Sequence, residues 1–131
     1  MTDTVRTYFN AFNRGDVAAM LDCLDGDVHH YVNEGEIRRG KEMFRAFCDH
    51  MGRCYREELS DIVILTGNDN TRAAAEFVVN GTYLVTDDGL PEAKGQRYSL
   101  PAGSFFTLRD GRITRITTYY NLADWMRQVS A

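Results

Sequence analysis

Positive charge is in deficit in this 131-residue chain: fifteen Lys and Arg stand against nineteen Asp and Glu, a formal net charge of −4. Neither a nucleic-acid backbone nor an anionic membrane surface attracts such a chain electrostatically, so a small molecule or another protein is the expected partner. Cysteine is sparse and odd in number. Cys23, Cys48 and Cys54 fall in or beside helical patterns, which suits reduced thiols in the cytoplasm rather than a disulfide framework. No metal-ligand spacing links them, and no cofactor is implied. An apolar run approaching the roughly 20 residues that span a bilayer is missing, as is an apolar signal core behind Met1. These absences predict a soluble, cytoplasmic protein. Internal repeats, linkers and low-complexity stretches are also lacking, so residues 1–131 read as one domain. Its 44% hydrophobic content is enough for a single core that buries roughly two-thirds of the unfolded surface.

What is present is helical first and extended afterwards. Val5, Tyr8, Phe9 and Phe12 recur at the spacing that gathers side chains on one helical face. Gly15 ends that helix. Asp16 can cap a second, whose Val17, Met20, Leu21 and Leu24 repeat the period until Gly26. Val28 to Val32 reads as a strand, Asn33 to Glu36 as a polar turn, and Ile37 to Gly40 as the returning arm of a short hairpin. A third helix over Lys41 to Arg53 stacks Met43, Phe44, Phe47, Cys48 and Met51. Long strands follow, Arg56 to Leu65, Thr71 to Val85 and Gln96 to Leu108, joined by turns over 67–70 and 88–95. An Asp110-Gly111 turn leads into Ile113 to Tyr120, and Asn121 opens a short amphipathic helix whose Trp125 can cover one end of the curved sheet. The expected class is α+β, with helices packed on one face of a curved, mostly antiparallel sheet that encloses a pocket.

Several stretches resemble the NTF2-like superfamily, the cone-shaped fold shared by ketosteroid isomerases and SnoaL-like polyketide cyclases. They are Tyr8-Phe9-Asn10-Ala11-Phe12-Asn13-Arg14-Gly15-Asp16, Asp27-Val28-His29-His30, Arg39-Gly40-Lys41-Glu42, Gly81-Thr82-Tyr83, Asp110-Gly111-Arg112-Ile113 and Tyr119-Tyr120-Asn121. The resemblance covers nearly the whole chain and is closest to ketosteroid isomerase-related proteins. It implies isomerase- or cyclase-like proton transfer beside a carbonyl of a small hydrophobic molecule. Steroid isomerases of this kind combine a carboxylate base with a tyrosine and a protonated aspartic acid as oxyanion donors. Tyr8 matches the tyrosine. The base position falls near Val32, or on Tyr31 or Asn33, and the second donor near Ser104, so two carboxyl groups are missing. The cyclase template likewise finds Tyr83 and Asn121 where a histidine and an acid are used.

Strand alternation supplies replacements. Val28, His30 and Val32 share the more apolar face, which puts His30 inside as a neutral imidazole able to act as base and His29 outside. Glu34 in the hairpin turn is the carboxylate nearest the family's base position. Tyr8, Tyr83 and Asn121 are the expected hydrogen-bond donors. Phe77, Val79, Gly81 and Tyr83, then Ile116, Thr118 and Tyr120, are expected to face inward, with Trp125 closing the pocket. Glu76 reads as half of a buried ion pair. The opposite faces, with Val78, Asn80, Thr117 and Tyr119, would stay exposed on a monomer and predict a homodimer through the sheets. Two competing readings are a non-catalytic ligand-binding or accessory protein, and an interaction module with a vestigial pocket.

Overall fold

The computed structural model describes residues 2–33 and 35–130. Two short helices, α1 (Thr2–Arg14) and α2 (Val17–Asp22), precede strand β1 (Leu24–Val32), the two-residue strand β2 (Arg38–Arg39) and helix α3 (Gly40–Cys54). Four long strands follow, β3 (Tyr55–Thr66), β4 (Arg72–Tyr83), β5 (Arg97–Arg109) and β6 (Arg112–Tyr120), and then α4 (Leu122–Ser130). The strands form one sheet in the order β2-β1-β6-β5-β4-β3. Among the described residues only β1 and β6 run parallel; the other pairs are antiparallel.

Local chemistry accounts for the joints. Gly15 takes a φ of +72° after α1, and the Asp16 side chain accepts the Ala19 N–H at 3.0 Å to cap α2, as its residue type predicts. Asp110 and Gly111 both adopt positive φ, 53° and 76°, the geometry of a tight turn whose twist matches its flanking strands. Asp61 also has a positive φ, 53°, at the point where the β3–β4 register slips between Ser60 and Val63. Such a bulge bends a strand and raises the local twist.

Three expectations change. Leu24 does not continue the second helix. Cys23 caps α2, its carbonyl accepts the Ile113 N–H at 2.9 Å, and Leu24 opens β1 opposite Ile113 with no exposed surface. Main-chain pairing with β6 therefore overrides the helical period. Met43 is half-exposed because the inward stripe of α3 runs through buried Phe44 and Cys54 and half-buried Phe47, Cys48 and Met51, and Met43 falls beside it. Glu76 is exposed on the outer face of β4 rather than buried in an ion pair. Strand parity puts it opposite Phe77, whose ring packs into the core.

Apolar contacts gather in two clusters. One lies between α1–α3 and the inner sheet face, around Val5, Phe9, Leu24, Phe44, Phe106 and Ile113. The other lies under α4, where the Trp125 ring meets Tyr83, Tyr98 and Tyr55 edge-on at 5.1, 5.9 and 6.0 Å. Residues of both clusters line a shared cavity. No helix among the described residues is long and apolar enough to cross a membrane.

Candidate active site

The cavity has a volume of about 400 Å³. Tyr8, Phe9 and Phe12 of α1, Phe47 and Met51 of α3 and Phe77 of β4 supply an apolar wall. Alternation along β6 turns Thr118 and Tyr120 into the same space, and α4 contributes Trp125. Against this lining stand three groups of ionisable side chains.

Glu57 is the first. On β3 it shares the inward face with Tyr55 and Leu59, both buried. Glu57, Gly81 and Tyr98 stand opposite one another on β3, β4 and β5. Tyr98 reaches across the middle strand to donate its hydroxyl to Glu57 Oε2 at 2.5 Å. Glycine is required between them: a Cβ at position 81 would lie 2.2 Å from Tyr98 Cζ. Burial raises the Glu57 pKa above the usual glutamate value, and the Tyr98 hydrogen bond offsets this only in part. Tyr98 itself is pushed upward by burial and then by the Glu57 charge, so its phenol stays protonated.

Helix α3 and the β4–β5 connection build the second group. His50 Nε2 lies 2.8 Å from Asp87 Oδ1, and an Arg53 guanidinium nitrogen lies 3.2 Å from His50 Nδ1. A guanidinium only donates, so Nδ1 accepts and the Nε2 proton goes to Asp87. Tyr55 donates to the other Asp87 oxygen at 2.7 Å. Burial opposes the Asp87 charge, yet the bonds from Tyr55 and His50 outweigh it and hold the carboxyl below its ordinary range. His50, Cys54 and Asp87 also bring potential metal-donor atoms within 4.8 Å of one another. The arrangement fits a cation poorly, since the Nε2 proton is already engaged and the Arg53 charge sits against the ring.

His30 and Arg38 form the third group, facing each other across β1 and β2. His30 is 4% exposed and contacts the Phe44 and Phe47 rings at 4.9 and 4.7 Å. Burial, helped by the Arg38 charge, lowers its pKa to about 4. The Arg38 guanidinium stacks 4.3 Å above the Phe47 ring. Among the described residues, His30 Nδ1 and Arg38 Nη1 are buried side-chain atoms with no hydrogen-bond partner.

Of the residues expected from sequence, His30, Tyr8, Phe77, Thr118, Tyr120 and Trp125 line this cavity. Glu34 lies outside the described residues. Tyr83 is fully buried behind the wall, where its hydroxyl donates to the Pro91 carbonyl at 2.7 Å and accepts the Asp87 N–H at 2.9 Å. Asn121 is exposed and caps α4, accepting the Asp124 N–H at 3.0 Å. Asn33 accepts the Tyr120 N–H at 2.9 Å and ends the β1–β6 ladder. Ser104 is buried, 2.7 Å from the Thr118 hydroxyl. Glu57, Arg38, Tyr98 and the His50–Asp87 pair went unforeseen. Glu57 had a visible signal, a carboxylate in the apolar alternation Tyr55-x-Glu57-x-Leu59.

The model of the SnoaL-like domain family matches residues 5–116. A solved candidate polyketide cyclase from Silicibacter sp. TM1040 is 67% identical, with 99% of this chain and 95% of that one covered and a TM-score of 0.98. Candidate polyketide cyclases from Pseudomonas putida and Xanthomonas campestris pv. campestris are 54% and 51% identical, each with a TM-score of 0.94. The alignments cover 96% and 98% of this chain, and 95% of each relative. Among proteins of curated function none matches.

Proposed function

The chain belongs to the family of SnoaL-like domains, and from that membership we propose that it catalyses proton transfer beside a carbonyl of a small, largely apolar molecule, with Glu57 as the base. Cyclisation and double-bond isomerisation share this step, the removal of a proton from a carbon next to C=O. The observation that carries the reading is a carboxylate in the wall of an aromatic cavity, fixed by Tyr98 across Gly81.

A carboxylate that is partly desolvated is a stronger base than one in water, and efficiency in proton transfer follows that basicity. Tyr98 sets the rotamer of Glu57 while leaving its second oxygen free of that bond. As the proton leaves carbon, negative charge grows on the carbonyl oxygen and needs a donor. Tyr8 and Tyr120 both line the cavity, and burial pushes both phenols up in pKa, so they remain protonated donors. The Glu57 proton then returns to a different carbon in an isomerisation; in a ring closure the enolate carbon attacks a second carbonyl, whose π bond opens to an alkoxide that takes up the Glu57 proton.

His30 suits the base role less well. An imidazole with a pKa near 4 is neutral at physiological pH but a weak proton acceptor. Exchange of the C2 hydrogens of 1-tetralone in D2O, followed by proton NMR, tests the reading without knowledge of the natural substrate. Wild-type protein is expected to accelerate exchange, and Glu57→Gln to lose at least about a hundredfold of that acceleration. Exchange no faster with wild-type protein than without it contradicts the proposal.

A further inference from the structure

Each acidic or basic side chain that lines the cavity has a hydrogen-bond partner among the described residues except one pair. Glu57 is held by Tyr98, and Asp87 by His50 and Tyr55. His30 and Arg38 are the exception, with Nδ1 and Nη1 buried and unpaired. Leaving a buried polar atom unsatisfied is costly, and the one carboxylate among the described residues whose charge reaches Arg38, that of Glu36, raises its pKa without giving Nη1 a partner. Their placement is nevertheless well defined. Pairing of β1 with β2 sets the two side chains opposite each other, and both rest on the same Phe47 ring.

A guanidinium has only donors to offer, so what it lacks is an acceptor, and its fork geometry matches a carboxylate. A neutral imidazole beside it can add one further N–H. We propose that Arg38, with His30 beside it, is a binding subsite for the carboxylate of the ligand, which is therefore an apolar keto acid rather than a neutral ketone. Arg38 and His30 lie on β2 and β1, at one end of the strand order, and Glu57 on β3 at the other. Since the curved sheet brings both ends to one cavity, the acid group enters at the β1–β2 edge and the reacting carbon faces Glu57. This orientation rests on the assignment of Glu57 as base; the carboxylate subsite does not.

The test compares 2-naphthoate with 2-naphthamide, equal in shape but different in charge, by isothermal titration calorimetry at pH 7.5. Wild-type protein is expected to bind the acid about tenfold or more tightly than the amide. Arg38→Gln is expected to remove that preference while keeping the affinity for the amide, and Arg53→Gln, a cation of α3 that bonds His50, to retain it. Equal affinity of wild-type protein for the two probes overturns the proposal by itself, even if Arg38→Gln does not fold. A preference that survives Arg38→Gln, or that is lost in Arg53→Gln instead, overturns it as well. Glu57→Gln separates the two proposals. Lost exchange with naphthoate preference intact supports both, whereas retained exchange with the preference intact leaves the subsite standing and removes the base.

Discussion

The Tyr98 hydroxyl meets Glu57 at 2.5 Å from two strands away, through space that Gly81 leaves empty. Gly81→Ala is expected to push the Tyr98 ring off Glu57, because the new Cβ and Cζ cannot share a separation of 2.2 Å. Tetralone exchange should fall by about ten- to a hundredfold as the base loses its fixed orientation. Circular dichroism should still show the native fold. Unchanged exchange would mean that Tyr98 does not position the base.

Glu57 also leaves a mark on stability. Its folded-state pKa is raised from 4.5 by burial, against a smaller opposing contribution from Tyr98. Between the unfolded and folded values the native state holds more protons than the unfolded chain, so this group's contribution to stability falls as pH rises through that window. Glu57→Gln removes the effect. Urea unfolding should show the variant gaining stability relative to wild type as pH is raised from 4.5 to 8. A constant difference would place the carboxylate in water.

His30 acts in the opposite direction. With a folded pKa near 4, below the ordinary 6.5, it binds fewer protons in the native state across that interval. Its contribution is complete above pH 6.5 and is lost as pH falls toward 4, by about 3 kcal/mol at roughly 1.4 kcal/mol per pKa unit. The difference in unfolding free energy between wild type and His30→Leu should shrink or reverse by that order between pH 7 and pH 4. No change would put His30 outside the apolar pocket.

We also expect a homodimer through the outer face of the sheet. Leu65 at 61% exposure, Tyr119 at 52%, Val63 at 49% and Phe105 at 46% share this face, and the Phe105 and Tyr119 rings meet edge-on at 6.0 Å. Thr117, anticipated as exposed, is already buried between its neighbours Tyr31 and Phe105. Analytical ultracentrifugation at micromolar concentration should give twice the chain mass, and the double variant Leu65→Glu/Phe105→Glu a single chain mass. Wild-type monomer under the same conditions contradicts this.

The parts of the fold that depend on neighbouring residues were legible. The Val5-Tyr8-Phe9-Phe12 stripe, the Asp110-Gly111 turn and the inward parity of His30, Thr118 and Tyr120 all follow from periods of 3.6 and 2. Leu24 was misread because its helical spacing continued that of Leu21, while its fate was set by Ile113, far along the chain. The site was harder for the same reason. Glu57, Gly81 and Tyr98 become one unit only when the registers of β3, β4 and β5 are fixed, and a bulge at Asp61 contributes to that register. Asp87 lies in a connection without periodicity, and its partners Tyr55 and His50 carried no sign of it. A resemblance to family positions led toward Val32 and Ser104, where the cavity has an alkyl group and a hydroxyl, and the carboxylate was on a strand that no template indicated.

Exchange of the tetralone C2 hydrogens in Glu57→Gln, beside wild type and His30→Gln, tests the assignment of the base most directly. Glu57→Gln is expected to lose on the order of a hundredfold or more while remaining folded and able to bind 2-naphthoate. Retained exchange in Glu57→Gln, together with its loss in His30→Gln, would place the base on β1 and contradict that assignment.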